Sequence, residues 1–140
     1  MAILYTTQST ATGGRTGSAK TADGRLSVVL DTPKELGGSD GEGTNPEQLF
    51  ASGYAACFLG ALKFVAAKEK VSISADSTVT ATVGIGPCED GTGFGLDVAL
   101  EVAFPGVEKS KAQELVNAVH IVCPFSHATR GHTDVRLRVA

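Results

Sequence analysis

Polar and apolar residues alternate along 78–86, TVTATVGIG, and again along 96–104, LDVALEVAF. That period of two predicts half-buried strands, and the Gly-rich stretch from Gly86 to Gly95 predicts the hairpin loop between them. Residues 1–12 are dense in Thr and predict a first strand, closed by a turn at Gly13-Gly14-Arg15. Ala22-Asp23-Gly24 is a second hairpin signal, before a strand over 26–31, LSVVLD. Gly37 to Gly43 reads as a flexible loop. A long helix is predicted from about Pro46 to Lys68, with Pro46 at an early helical position and Thr44 or Asn45 as the cap. A second helix from about Glu108 to His120 places Ala112, Leu115, Val116 and Val119 on one face, and TDVRLRVA closes the chain as a strand. The expected class is α+β, with antiparallel strands and hairpins packed on a long central helix, in one domain over residues 1–140.

Composition narrows the function classes. Apolar residues make up 42% of the chain and charged residues 19%, which suits a globular core rather than disorder. A net charge of −3 gives no electrostatic footprint for nucleic acid. The opening MAILYTTQSTATGG lacks a basic region followed by a long apolar core, so no signal peptide is expected. With an odd count of 3 cysteines, this argues for a reducing compartment and against a disulfide framework. The uncharged run from Leu49 to Leu62 is shorter than the roughly 18–20 residues needed to span a bilayer, so a buried core helix and no membrane is the expectation. The glycine loop before the long helix lacks a Gly-Lys-Ser/Thr ending, which argues against nucleotide binding.

Two cysteines occupy contrasting settings. Cys57 sits deep in the predicted long helix among Ala55, Ala56 and Phe58, and periodicity alone makes it an inert core thiol. Cys123 opens the polar run CPFSHATRG, where Pro124 can start a short helix whose N-terminal end favours negative charge. The thiolate is the nucleophilic form, so Cys57 needs a cation, and its own helix offers none before Lys63. Arg15, flanked by glycines in GGRTG, is held on a loop that can approach a site closely; the plain alternative is a surface arginine.

GTNPEQLFASGYAACF, the later CPFSHATRG and the early TATGGRTGSAKTADGRL together resemble the organic hydroperoxide resistance proteins, within the wider family that includes osmotically inducible protein C. The likeness covers nearly the whole chain. It implies a cytoplasmic thiol peroxidase acting on organic hydroperoxides, built as an intertwined homodimer with its sites at the interface. By the match, Cys57 is the peroxidatic cysteine, Cys123 the resolving one, and Arg15 with Glu47 the activating pair. The implied reductant is a dithiol of the lipoyl type, with no metal, flavin or other cofactor.

Chemistry is consistent with those roles. An arginine can stabilise both the thiolate and the charge that develops on the departing oxygen, and a glutamate can orient it through a bidentate pair. At helical spacing Phe50, Tyr54, Ala61 and Phe64 share the face of Cys57 and make an apolar wall for an organic peroxide; core packing is the alternative for the aromatics. Glu47 and Cys57 are about 15 Å apart along a straight helix, so either Arg15 stretches between them or the pair reaches the cysteine of a second subunit. Gly53, Ala56 and Gly60 would let two such helices pack closely. The departures from the pattern are Cys88, read as an incidental exposed thiol, and His127 and His132, which stand where the family more often has Asn. With Cys123 the histidines form a loose set lacking a further thiol or acid nearby, so no metal is expected; His120 reads as a packed helix residue. A redox sensor without turnover and a lipid- or small-acid-binding module are the rival functions.

Overall fold

The computed structural model describes all residues, 1–140, as two compact units, Met1–Leu49 and Phe50–Ala140. The smaller unit is a meander of β1 (Ser9–Thr12), β2 (Ser18–Thr21) and β3 (Ser27–Val29), all antiparallel. The predicted first strand is shortened from 1–12 to its last four residues. Its partner β2 runs out at Thr21, opposite Ser9, and past one further bond, from the Ala22 N–H to the Gln8 carbonyl at 3.0 Å, the chain turns through Asp23-Gly24, so residues 1–7 have no ladder to join. Between β1 and β2 the chain makes a 3₁₀ turn over Gly14–Thr16. Past β3, Leu30 bridges to Thr44, and Asp31 accepts the Gly43 N–H at 2.5 Å, which ties the glycine loop back to the sheet.

Helix α1 (Pro46–Lys68) begins as expected. Asn45 is the cap: its Oδ1 accepts the Gln48 N–H at 2.8 Å, while the Thr44 hydroxyl bonds the Gln48 side chain at 2.6 Å. By length and composition α1 could cross a membrane, yet Tyr54, Phe58, Leu62, Val65 and Ala66 form a buried stripe at helical spacing. The opposite face, with Ala56, Gly60, Lys63, Phe64 and Ala67, is exposed, so α1 is a core helix on one side only.

In the larger unit β4 (Thr78–Pro87) and β5 (Phe94–Ala103) form the predicted hairpin. The last strand, β6 (Val135–Val139), pairs with β5 in parallel, a direction that a short alternating segment does not encode. The register sets Val98 beside Val135, Leu100 beside Leu137 and Val102 beside Val139, so one face of the sheet is a continuous apolar layer. The other face is polar, with Asp97 pairing Arg136 and Glu101 pairing Arg138. Helix α2 (Lys109–Val122) is capped by Glu108, which accepts the N–H groups of Ser110 and Lys111. Its face of Ala112, Leu115, Val116 and Val119 joins the α1 stripe and the β5 strand in one core, with Cys123 at its edge. A one-residue hinge at Cys123 separates α2 from the short α3 (Pro124–Thr129), as the Cys-Pro pair predicts: proline lacks the N–H to continue α2 but can begin α3.

Phe58 is fully buried at the centre of this core. Phe58→Ala is expected to lower the unfolding free energy by about 3–5 kcal/mol, read from urea denaturation. A loss below about 1 kcal/mol would mean that α1 does not carry the core of the larger unit.

Candidate active site

In the larger unit the site is a pair of sulfurs. Cys57 lies on α1 beside the core stripe and is half-buried, and Cys123, at the α2–α3 hinge, is completely buried. The Cys123 thiol donates to the Cys57 sulfur across 3.7 Å. A disulfide needs about 2.0 Å, so the thiols are in contact and one small adjustment from bonding range. Burial pushes the Cys57 thiol above its ordinary pKa; the nearby Phe125 backbone N–H pulls the other way, and the adjoining Cys123 thiol adds to the rise. That amide is among the unpaired donors of α3's first turn. The helix end expected to favour negative charge at Cys123 also bears on the neighbouring Cys57.

The surrounding wall departs from the sequence expectation in several places. Phe50 is half-buried against Tyr54 and Phe125, with ring centroids 5.9 and 6.2 Å away. Ala61 packs against the core from its edge. Tyr54 is wholly buried, so it backs the site rather than lining an open surface. Phe64 does not join this wall: it is 55% exposed, and the Lys68 ammonium sits 5.2 Å from its ring centre, a cation–π contact at the solvent side of α1. Gly53, expected to admit a second helix, lies under the chain's own Phe125; a Cβ there would meet the ring at 3.3 Å. Phe125, whose ring and amide both face the site's elements, was not singled out by pattern, and its only signal is an aromatic directly after Cys-Pro. Ser126 and His120 bond each other at 2.8 Å behind it, a pairing invisible at the sequence level. Cys88 is half-buried, not exposed, because its sulfur folds over Gly95 at the neck of the β4–β5 loop. No three His, Cys, Asp or Glu side chains gather as a metal site would require; His127 and His132 point to solvent while Cys123 is buried.

In the smaller unit, Arg15 and Glu47 form a bidentate fork: Nη1 donates to Oε2 at 2.9 Å and Nη2 to Oε1 at 2.5 Å. Three local features aim Arg15. Gly13 and Gly14 take φ of 76° and 62°, left-handed values that favour glycine, and a Cβ on Gly17 would run into the Thr12 carbonyl. The Thr32 hydroxyl also donates to the Arg15 carbonyl at 3.4 Å. Glu47, in the first turn of α1, is held below the usual carboxylate range mainly by the Arg15 hydrogen bonds, against the opposing effect of burial. The fork uses two of the five guanidinium N–H groups and leaves three for another anion.

A model of the OsmC-like protein family matches residues 38–138. The organic hydroperoxide resistance protein of Xanthomonas axonopodis pv. citri (strain 306) is 52% identical over 138 residues, covering 99% of this chain and 96% of that one. Organic hydroperoxide resistance protein OhrB of Bacillus subtilis (strain 168) is 46% identical over 138 residues, covering 97% of this chain and 98% of that one. A crystal structure of an organic hydroperoxide resistance protein from Legionella pneumophila matches with a TM-score of 0.93 at 46% identity, covering 99% of both chains.

The fork has a pH signature. A carboxylate with a depressed folded pKa contributes stability above its unfolded pKa and loses it as pH falls through the folded value. The stability difference between native protein and Glu47→Gln should therefore be greatest at neutral pH and vanish in acid below the ordinary Glu range. With Arg15 36% exposed, solvent screening limits it to the order of 1 kcal/mol. Urea unfolding across pH 2–7 tests this; a difference that persists unchanged at the acid end rules the fork out as its source.

Proposed function

Because the chain belongs to the OsmC-like family, among the organic hydroperoxide resistance proteins, we propose that it is a cysteine peroxidase that reduces organic hydroperoxides to alcohols. The observation that carries this reading is the 3.7 Å between Cys57 and Cys123, one thiol half-open and the other sealed behind it. In the first step the Cys57 thiolate attacks the outer peroxide oxygen. The O–O bond breaks, the alkoxide leaves and takes a proton to become the alcohol, and Cys57 becomes a sulfenic acid. In the second step the Cys123 sulfur attacks the Cys57 sulfur, the S–S bond forms and water leaves. A dithiol reductant of the lipoyl type then opens the disulfide by two exchanges and is itself oxidised to a disulfide.

The roles follow from opposing demands on Cys57. Its burial favours the thiol, yet attack requires the thiolate. Arg15 answers that demand in this reading: oriented by Glu47, it offers its unused N–H groups first to the thiolate and then to the departing oxygen. Phe50 and Ala61 supply apolar surface for the organic part of the peroxide, with Tyr54 behind them; Phe64, on the solvent side of its own helix, serves an apolar partner surface instead. Exposed Phe64, Ile121 and Val122 in the larger unit support a homodimer, in which the activating pair of one subunit serves the cysteine of the other. A reducing cytoplasm is the setting such a thiol cycle needs. The chain runs the full length of its relatives, and in this reading residues 1–140 work together as one functional domain.

The test is turnover of an organic hydroperoxide against hydrogen peroxide, with dihydrolipoamide as electron donor. The organic peroxide should be reduced faster; no turnover of either ends the proposal. Cys57→Ser is expected to abolish activity, and Cys123→Ser to leave a sulfenic acid on Cys57 that a dimedone probe captures. Normal turnover in Cys57→Ser would reverse the two assignments.

Arg15→Ala should slow the attack by one to two decades, since a hydrogen bond to a charged group is worth roughly 1.5–3 kcal/mol. Mixing Arg15→Ala with Cys57→Ser subunits should restore part of the activity if the pair acts across a dimer. Inactive hybrids would confine Arg15 to its own subunit, and an unchanged rate in Arg15→Ala would remove it from the mechanism.

A further inference from the structure

Behind the cysteine pair runs a buried chain of hydrogen bonds that the peroxidase reading does not use. The Tyr54 hydroxyl lies 2.8 Å from Ser126 Oγ, and the same oxygen lies 2.8 Å from His120 Nδ1. Tyr54 and Ser126 are both wholly buried. These three residues sit on α1, α3 and α2 respectively. Tyr54 is one helical turn before Cys57 on α1, and Ser126 is one turn after Cys123 on α3. The hydroxyl pair and the sulfur pair are thus two rungs joining the same two segments. Helical turns are stiff, so the length of one rung constrains the other.

We propose that the Tyr54–Ser126–His120 chain is a positioning device for the cysteines, fixing how closely Cys123 approaches Cys57 and thereby how readily the pair closes into a disulfide. The inference rests on the reading of these two cysteines as a redox pair. Ser126 has one hydroxyl hydrogen and two polar neighbours, so the chain runs in one direction at a time, from Tyr54 through Ser126 to His120 Nδ1, or the reverse when Nδ1 carries the imidazole hydrogen. The first order needs a neutral imidazole, and burial, with the nearby Arg130 charge, holds His120 below its ordinary pKa. The other end of α3 is already tied to α2, since Arg130 donates to the His120 carbonyl at 2.5 Å. Across to α1 the Phe125 ring meets Tyr54 with centroids 5.6 Å apart, an apolar contact that tolerates sliding. The Tyr54–Ser126 bond is directional and does not. Closing the disulfide shortens the sulfur separation from 3.7 to about 2.0 Å, and a broader spread of starting separations lowers the effective concentration of one thiol at the other.

The test needs no peroxide. Native and variant proteins are equilibrated in dithiothreitol redox buffers, and the Cys57–Cys123 disulfide is quantified by peptide mapping. Tyr54→Phe and Ser126→Ala should each lower the disulfide-forming equilibrium constant roughly five- to tenfold, about 20–30 mV for a two-electron couple. The double variant should shift no further than either single, because one chain is broken once. His120→Asn, which keeps an acceptor near the Nδ1 position, should stay within about twofold of native, while His120→Leu should match Ser126→Ala. His120 is only half-buried, so its variants carry the test if Tyr54→Phe does not fold. A merely structural role would lower melting temperatures and leave the potential in place; unshifted potentials with a disulfide still forming, or additive shifts, overturn the proposal. A native disulfide that forms while organic hydroperoxide is not turned over sinks the peroxidase reading alone. A native pair that forms no disulfide at any potential sinks both.

Discussion

Two sulfurs, one on α1 and one at the α2–α3 hinge, lie 3.7 Å apart, and the packing of those helices in one core brings them together. Cys57 rides on the edge of the α1 stripe, and Cys123 ends the buried face of α2. Both belong to the core that includes Phe58, Leu115, Val119 and the β5 valines. Moving either thiol far means moving a helix across an apolar layer packed to solid density, so the two segments stay adjacent without a covalent bond. Past the hinge at Cys123-Pro124, α3 sets Phe125 and Ser126 against Tyr54 of α1.

The same burial that fixes the distance works against the chemistry. A thiol shielded from water resists ionisation, and the one compensating donor beside Cys57 is a single backbone amide of α3. In the smaller unit a positive charge is itself held in place. Glycines at positive φ shape the turn that carries Arg15, and the Glu47 fork fixes the guanidinium plane while leaving N–H groups unspent. Each group is stabilised within its own unit by ordinary packing and pairing.

Much of this was legible in the chain. Alternation at 78–86 and 96–104, the stripe on the second helix and the Asn-Pro start of α1 each report a local period or a local cap, and local physics suffices to form them. The resemblance carried by the two cysteine motifs identified the family that the full-length relatives then showed. Less legible were features that depend on a partner segment. The first strand began only where β2 ended opposite it, β6 joined β5 in parallel, Phe64 turned to Lys68 instead of the wall, and Gly53 made room for Phe125.

The sequence by itself determined where the long helices and the β4–β5 hairpin lie, and which residue types are available for thiol chemistry, because periodicity, capping and side-chain identity are properties of near neighbours. Tertiary structure alone decided that a cysteine on α1 would touch one some 66 residues later, that the α3 amide would face Cys57, and that Tyr54, Ser126 and His120 would share one oxygen. Those contacts join residues whose separation along the chain carries no period. They exist because an apolar core can close in few ways, and the way it closes here sets these polar groups side by side.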